Sequence, residues 1–181
     1  NMILICINSY LILLAWVLIG MNIFKYVYKI YNYNIKWKKN YLSILAIFKN
    51  ESHVLDEWIN HYINEGVDHL YLINNNSSDN YKHIIDKYTN VISFFDKNEN
   101  HKQTEHYNSL LPIIKNETEW LIVCDLDEFI FAKDNYKNIK MILQNFEKNI
   151  PKLSKIVLPW KMFSSNKHIK QPDSVIKGFT D

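Results

Sequence analysis

From residue 41 onward, short apolar runs of strand length alternate with stretches of helical periodicity. This alternation restricts the chain to a layered α/β architecture. The strand-like runs are 41–48 (YLSILAIF), 69–73 (HLYLI), 91–95 (VISFF), 120–124 (WLIVC) and 156–163 (IVLPWKMF), where Pro159 indicates an edge or a bulge. Between the first two, Val54, Leu55, Trp58, Ile59, Tyr62 and Ile63 share one helical face, with Ser52 expected as the cap and Gly66 as the stop. Tyr81, Ile84, Ile85 and Tyr88 predict a short helix. Tyr107, Leu110, Leu111 and Ile114 predict another, kinked or split at Pro112, and Ile139, Ile142, Leu143 and Phe146 a further one.

Helices between strands imply crossovers, and crossovers imply a mostly parallel sheet with helices on both faces. Ligands of such sheets sit beyond the carboxyl ends of the strands. The loops to inspect are therefore 49–52, 74–80, 96–103 and 125–128.

The chain ahead of this pattern is different. Residues 2–24 (MILICINSYLILLAWVLIGMNIF) carry no charge and as a helix span roughly 34 Å, enough for a bilayer core. Residues 25–40 mix Lys25, Lys29, Lys36, Lys38 and Lys39 with Tyr26, Tyr28, Tyr31, Tyr33 and Trp37, as an interfacial belt does. The expectation is a single-pass anchor at 2–24, a basic aromatic stalk at 25–40 and a domain at 41–181. The lysine flank favours a cytoplasmic domain, whereas four sequons permit a luminal one, so the side of the membrane stays open.

The formal charge of +2 is an average over these parts. From residue 40 on, 16 lysines face 19 acidic residues, which argues against a nucleic-acid partner. Cys6 lies in the apolar leader and Cys124 in a strand-like run, so no disulfide framework is indicated. The histidines show no zinc spacing, and no glycine-rich phosphate loop or nucleophile elbow occurs. These features count against NTPases, serine hydrolases and dinucleotide oxidoreductases.

Asp125-Leu126-Asp127-Glu128 is the sharpest chemical feature. With 10 Asp in 181 residues, a D-x-D pair arises by chance about 0.5 times, so position must supply its weight. The carboxylates follow a buried-looking strand directly, and Phe129-Ile130-Phe131 come next. Hard oxygen ligands two residues apart suit Mg²⁺ or Mn²⁺ shared with phosphates, and a solvated turn reads equally well. Lys49-Asn50-Glu51-Ser52 opens a helix, which provides either an anion site or a plain capping turn. The loop 74–79 (NNNSSD) suits a nucleotide base or ribose, or is simply a loop.

In order and spacing, these blocks resemble the GT-A type glycosyltransferases, in particular glycosyltransferase family 92 and the related family 2 group. The carrying residues are Lys49-Asn50-Glu51, Glu57-Trp58-Ile59 with His61-Tyr62, Gly66-Val67-Asp68-His69, Asn74-Asn75-Asn76-Ser77-Ser78-Asp79, Gln103, and Trp120 with Asp125-Leu126-Asp127-Glu128. Trp160, Phe163-Ser164-Ser165 and His168 complete the series. The resemblance implies a GT-A (Rossmann-like) fold and a nucleotide-sugar-dependent transferase. It implies a Mn²⁺ or Mg²⁺ ion on Asp125 and Asp127, and a donor pocket of Asn50, Glu51, Asn76, Asp79, Gln103 and Asp125. It implies a glycan or protein-linked acceptor near Glu128, Trp160 and His168.

Two departures accompany the resemblance. After Glu147 the only acidic residues are Asp173 and Asp181, so no general base is identified. The glycine usual near Ser164-Ser165 is missing. The expectation is a C-terminally truncated domain. A catalytically inactive GT-A-like binding module is the alternative, and a metal-dependent phosphotransferase the third reading.

Overall fold

A computed structural model of the chain describes residues 25, 38–99, 102–133, 135–165 and 167–180. The expected anchor at 2–24, and the stalk apart from Lys25 and residues 38–40, lie outside the described residues. Among the described residues no helix is long and apolar enough to cross a membrane. Residues Lys38–Asp181 form one compact unit.

Strand β1 (Asn40–Phe48) is the centre of this unit, and Leu42, Ile44, Leu45 and Ala46 in it are wholly buried. Burial on both faces explains why the run is continuously apolar rather than alternating. It pairs in parallel with β2 (His69–Asn74) on one side and β4 (Thr118–Val123) on the other. Ile44 lies opposite Leu70 in β2 and Ile122 in β4. β3 (Ile92–Asp96) extends the sheet beyond β2, giving the all-parallel order β3-β2-β1-β4.

Two cores form because side chains alternate across the sheet. Leu42, Ile44, Ala46 and Phe48, with Leu70 and Leu72, face α1 (Ser52–Asn64), α2 (Lys82–Ile85) and α4 (Ile139–Asn149). Leu45, Tyr71 and Ile73 face Leu110 and Ile114 of α3 (Gln103–Glu117). Helices on both sides of a parallel sheet agree with the α/β expectation. A short α5 (Val175–Gly178) completes the described helices.

Helix α1 ends at Gly66, whose φ of 87° lies in the left-handed region. Its N–H bonds Ile63 O (3.1 Å), and Val67 N–H bonds Tyr62 O (2.9 Å). This is the double bond of a Schellman stop. A Cβ here would lie 2.9 Å from Lys140 Cβ, so close approach of α4 also requires glycine.

Three local expectations are corrected. Ser52 is the first helical residue rather than the cap, and its N–H is bonded by Asp79 Oδ2 at 2.7 Å. Pro112 does not split α3, because it sits on the exposed face, where the carbonyl it leaves unbonded can be solvated. Residues 156–163 form no strand: the segment has no sheet neighbour, and Trp160 and Met162 are each 82% exposed.

Candidate functional site

The chain leaves β1 for β2 and β3 in one direction, then returns to place β4 on the other side of β1. Loops after β1 and β4 therefore diverge, opening the crevice where parallel sheets bind ligands. A cleft of about 450 Å³ lies there, lined by Ile47, Phe48, Lys49, Glu51, Asn75, Gln103, Asp125 and Asp127.

Asp125 and Asp127 reach it because of how the chain turns after β4. Leu126 is wholly buried, while the aspartates flanking it are exposed. Glu128 N–H bonds Asp125 O at 3.2 Å, closing a turn, and Glu128 Oε2 accepts the Asp125 N–H at 3.1 Å. Gln103, the first residue of α3, donates to Asp125 Oδ1 at 3.4 Å. The aspartates thus avoid the burial cost that their apolar neighbours suggest, since only Leu126 enters the core.

The opposite wall is made by the loops after β1 and β2, which are stitched together. Asn50, at a φ of 58°, donates its N–H to Ser77 Oγ (2.9 Å) and accepts the Ser78 N–H on Oδ1 (2.8 Å). Asn75 N–H bonds Phe48 O at 2.8 Å, and Asn74 Oδ1 accepts the Ser77 N–H at 2.9 Å. Asp79 Oδ2 is occupied by the start of α1, while Asp79 Oδ1 and Asn75 Oδ1 are buried without a hydrogen-bond partner.

Of the expected donor residues, Glu51, Gln103 and Asp125 line the cleft together with Asp127. Asn50 and Asp79 are spent on loop architecture. Asn76, at a φ of 59°, is exposed, and its neighbour Asn75 lines the cleft instead. On the expected acceptor side, Glu128 folds back onto Asp125, Trp160 is exposed, and His168 Nε2 meets Gly178 O at 3.1 Å. None of these three lines the cleft.

One group went unnoticed as functional in the sequence. Glu57, Trp58, His61, Tyr62 and Glu65 form a stripe on α1 that grips the chain after β4. Trp58 Nε1 donates to Asp125 O (3.1 Å) and Glu128 O (3.2 Å). Tyr62 OH donates to Glu128 O at 3.0 Å and accepts the Ile130 N–H at 3.1 Å. His61 Nε2 lies 2.7 Å from Ile130 O. Glu65 Oε2 accepts from Ala132 N and Ile139 N, and Glu57 holds Ser174 and Val175. The i, i+1, i+4, i+5, i+8 spacing of hydrogen-bonding residues beside an apolar face was the available signal.

The donor set accommodates a divalent cation. The pKa of Glu51 is raised, first by burial, which a hydrogen bond from Lys49 N–H opposes, and then by the charges of Asp127 and Asp125. A cation beside Glu51 would offset the effect of these neighbouring charges on it. Among the described residues no group of three His, Cys, Asp or Glu is arranged to hold a metal ion. Mg²⁺ and Mn²⁺ are often held by one or two carboxylates plus substrate phosphates, and the open Asp125/Asp127 pair fits that mode.

A cleft at the point where the strand order reverses, with two aspartates at its edge, lies where parallel α/β proteins bind their ligands. Residues 38–181 match the family model of glycosyltransferase family 92, and the chain belongs to that family. The match starts where the compact unit starts, at Lys38. Among curated proteins no relative matches.

Proposed function

We propose that this chain is a membrane-anchored, divalent-metal-dependent glycosyltransferase of GT-A architecture. It transfers a sugar from a nucleotide-sugar donor to a hydroxyl of a glycan or protein-linked acceptor. The observation that carries this reading is the exposed pair Asp125 and Asp127 facing Glu51 in the switch-point cleft of a family 92 domain. Residues 2–24 are the anchor in this reading, on the strength of their uncharged length.

Asp125 and Asp127 hold Mn²⁺ or Mg²⁺ together with the donor diphosphate. When bound, the ion supplies Lewis-acid stabilisation of the departing diphosphate. Gln103 holds Asp125 Oδ1, and Glu128 Oε2 holds the Asp125 backbone N–H, so less ordering is needed when the donor binds. Glu51 and Asn75 line the same cleft and offer acceptors and donors to the nucleoside. Asn50 and Asp79 contribute indirectly by fixing the loops that carry them.

A second reading, a donor-binding module without transfer, is favoured by one observation: Glu128, Trp160 and His168 are not among the residues lining the cleft. Nucleoside diphosphate release separates the two. The detergent-solubilised chain with UDP- or GDP-sugars, Mn²⁺ and an acceptor panel is expected to release nucleoside diphosphate and to stop when the ion is chelated. Donor binding with no release over the whole panel would leave the binding module as the correct reading.

A further inference from the structure

The turn that presents Asp125 and Asp127 is stabilised from outside itself. Within it, Glu128 N–H bonds Asp125 O and Asp125 N–H bonds Glu128 Oε2; the remaining bonds to its backbone come from α1. Both carbonyls at its ends, Asp125 O and Glu128 O, accept from the single Trp58 indole N–H, and Glu128 O also accepts from Tyr62 OH. Trp58 and Tyr62 are wholly buried, and their rings meet edge to face at 4.7 Å, so neither can follow the turn if it shifts. The Tyr62 oxygen also accepts the Ile130 N–H, which fixes the exit of the turn. Cys124 Sγ, at its entry, lies 3.4 Å from the same hydroxyl.

We infer that Trp58 and Tyr62 are positioning residues that set the spacing of the Asp125 and Asp127 carboxylates by clamping both ends of their turn. Neither lines the cleft. Groups that hydrogen-bond a metal ligand hold it in the orientation that the ion needs, and losing one typically lowers metal affinity about 10–100-fold. Trp58 and Tyr62 act through the backbone carbonyls at the two ends of the ligand turn. The inference rests on the metal role proposed above for Asp125 and Asp127.

Mn²⁺ binding by the full chain in detergent, with UDP as co-ligand, tests it through the electron paramagnetic resonance signal of free Mn²⁺. Tyr62→Phe removes one oxygen atom, whereas Trp58→Phe removes the indole N–H together with part of a wholly buried ring. Each is expected to weaken Mn²⁺ binding about 10-fold or more and to speed amide exchange at residues 124–130 in the ion-free protein. Tyr88→Phe is the control, since its hydroxyl bonds Asp56 and Asn60 on α1 and not the turn. It is expected to leave Mn²⁺ affinity unchanged even where it lowers stability. Should Trp58→Phe fail to fold, Tyr62→Phe alone decides. Wild-type Mn²⁺ affinity in folded Tyr62→Phe would overturn the clamp while leaving the metal role intact. Absence of Mn²⁺ binding by the wild type would overturn the metal role, and the clamp with it.

Discussion

At the scale of single residues, burying an ionisable group has a cost even where it is paired, and His69 illustrates it. Its ring is 8% exposed, lies 2.8 Å from Ser93 Oγ and meets Tyr71 edge to face. Burial, and next the charge of Lys39, lower its pKa from 6.5, with Glu117 opposing. The unfolded chain therefore takes up a proton here at a higher pH than the folded one does. Stability from this group is complete above 6.5 and declines as pH falls from there toward the lowered folded value. Denaturant midpoints between pH 7.5 and 5 are expected to fall less steeply in His69→Gln than in the wild type. Parallel slopes would remove His69 from the pH response. The same residue scale shows what sequence can and cannot reveal. Asp125 and Asp127 were legible because they follow an apolar run directly. That Asn75 rather than Asn76 reaches the cleft was not, since it depends on the left-handed backbone at Asn76 (φ 59°), and the run of three asparagines carries no mark of it.

Elements were legible where burial was two-sided. β1 and β2 were visible as apolar runs because central parallel strands are covered on both faces, whereas β4, an edge strand, is only partly buried. Residues 156–163 have the same composition but no strand partner, and composition reports a surface that suits a sheet rather than the neighbour that completes it. Helix α1 was read for its apolar face alone. Its hydrogen-bonding side chains are equally consequential, since Glu57, Trp58, His61 and Tyr62, with Glu65 just past its end, hold the chain after β4 at points from Asp125 to Ile139 and again at Ser174 and Val175. The register between α1 and that chain depends on the stop at Gly66. Gly66→Ala places a side chain in the left-handed region and 2.9 Å from Lys140 Cβ. It is expected to lower unfolding free energy by at least about 1 kcal/mol. It should also speed exchange in α4 before α3, which packs on the opposite face of the sheet. Unchanged stability would mean that α4 yields more readily than its packing implies.

For the whole molecule, strand order converts a sequence motif into a site. Only because β4 returns beside β1 do Asp125 and Asp127 share a cleft with Glu51, residues more than 70 positions apart in the chain. No local pattern encodes that adjacency; it follows from the rule that parallel sheets open where their winding reverses. The charge distribution matches this arrangement. The part from residue 40 carries a net −3, and three carboxylates line one cleft, a concentration of negative charge that favours cations there. The most direct measurement is the thermal shift of the detergent-solubilised chain titrated with UDP- and GDP-sugars, with Mn²⁺ and with chelator, in wild type and Asp127→Ala. Stabilisation by a nucleotide sugar that needs Mn²⁺ and disappears in Asp127→Ala is the expected result. Equal shifts in the two proteins, or stabilisation indifferent to the metal, would contradict a metal-bridged donor site at Asp125 and Asp127.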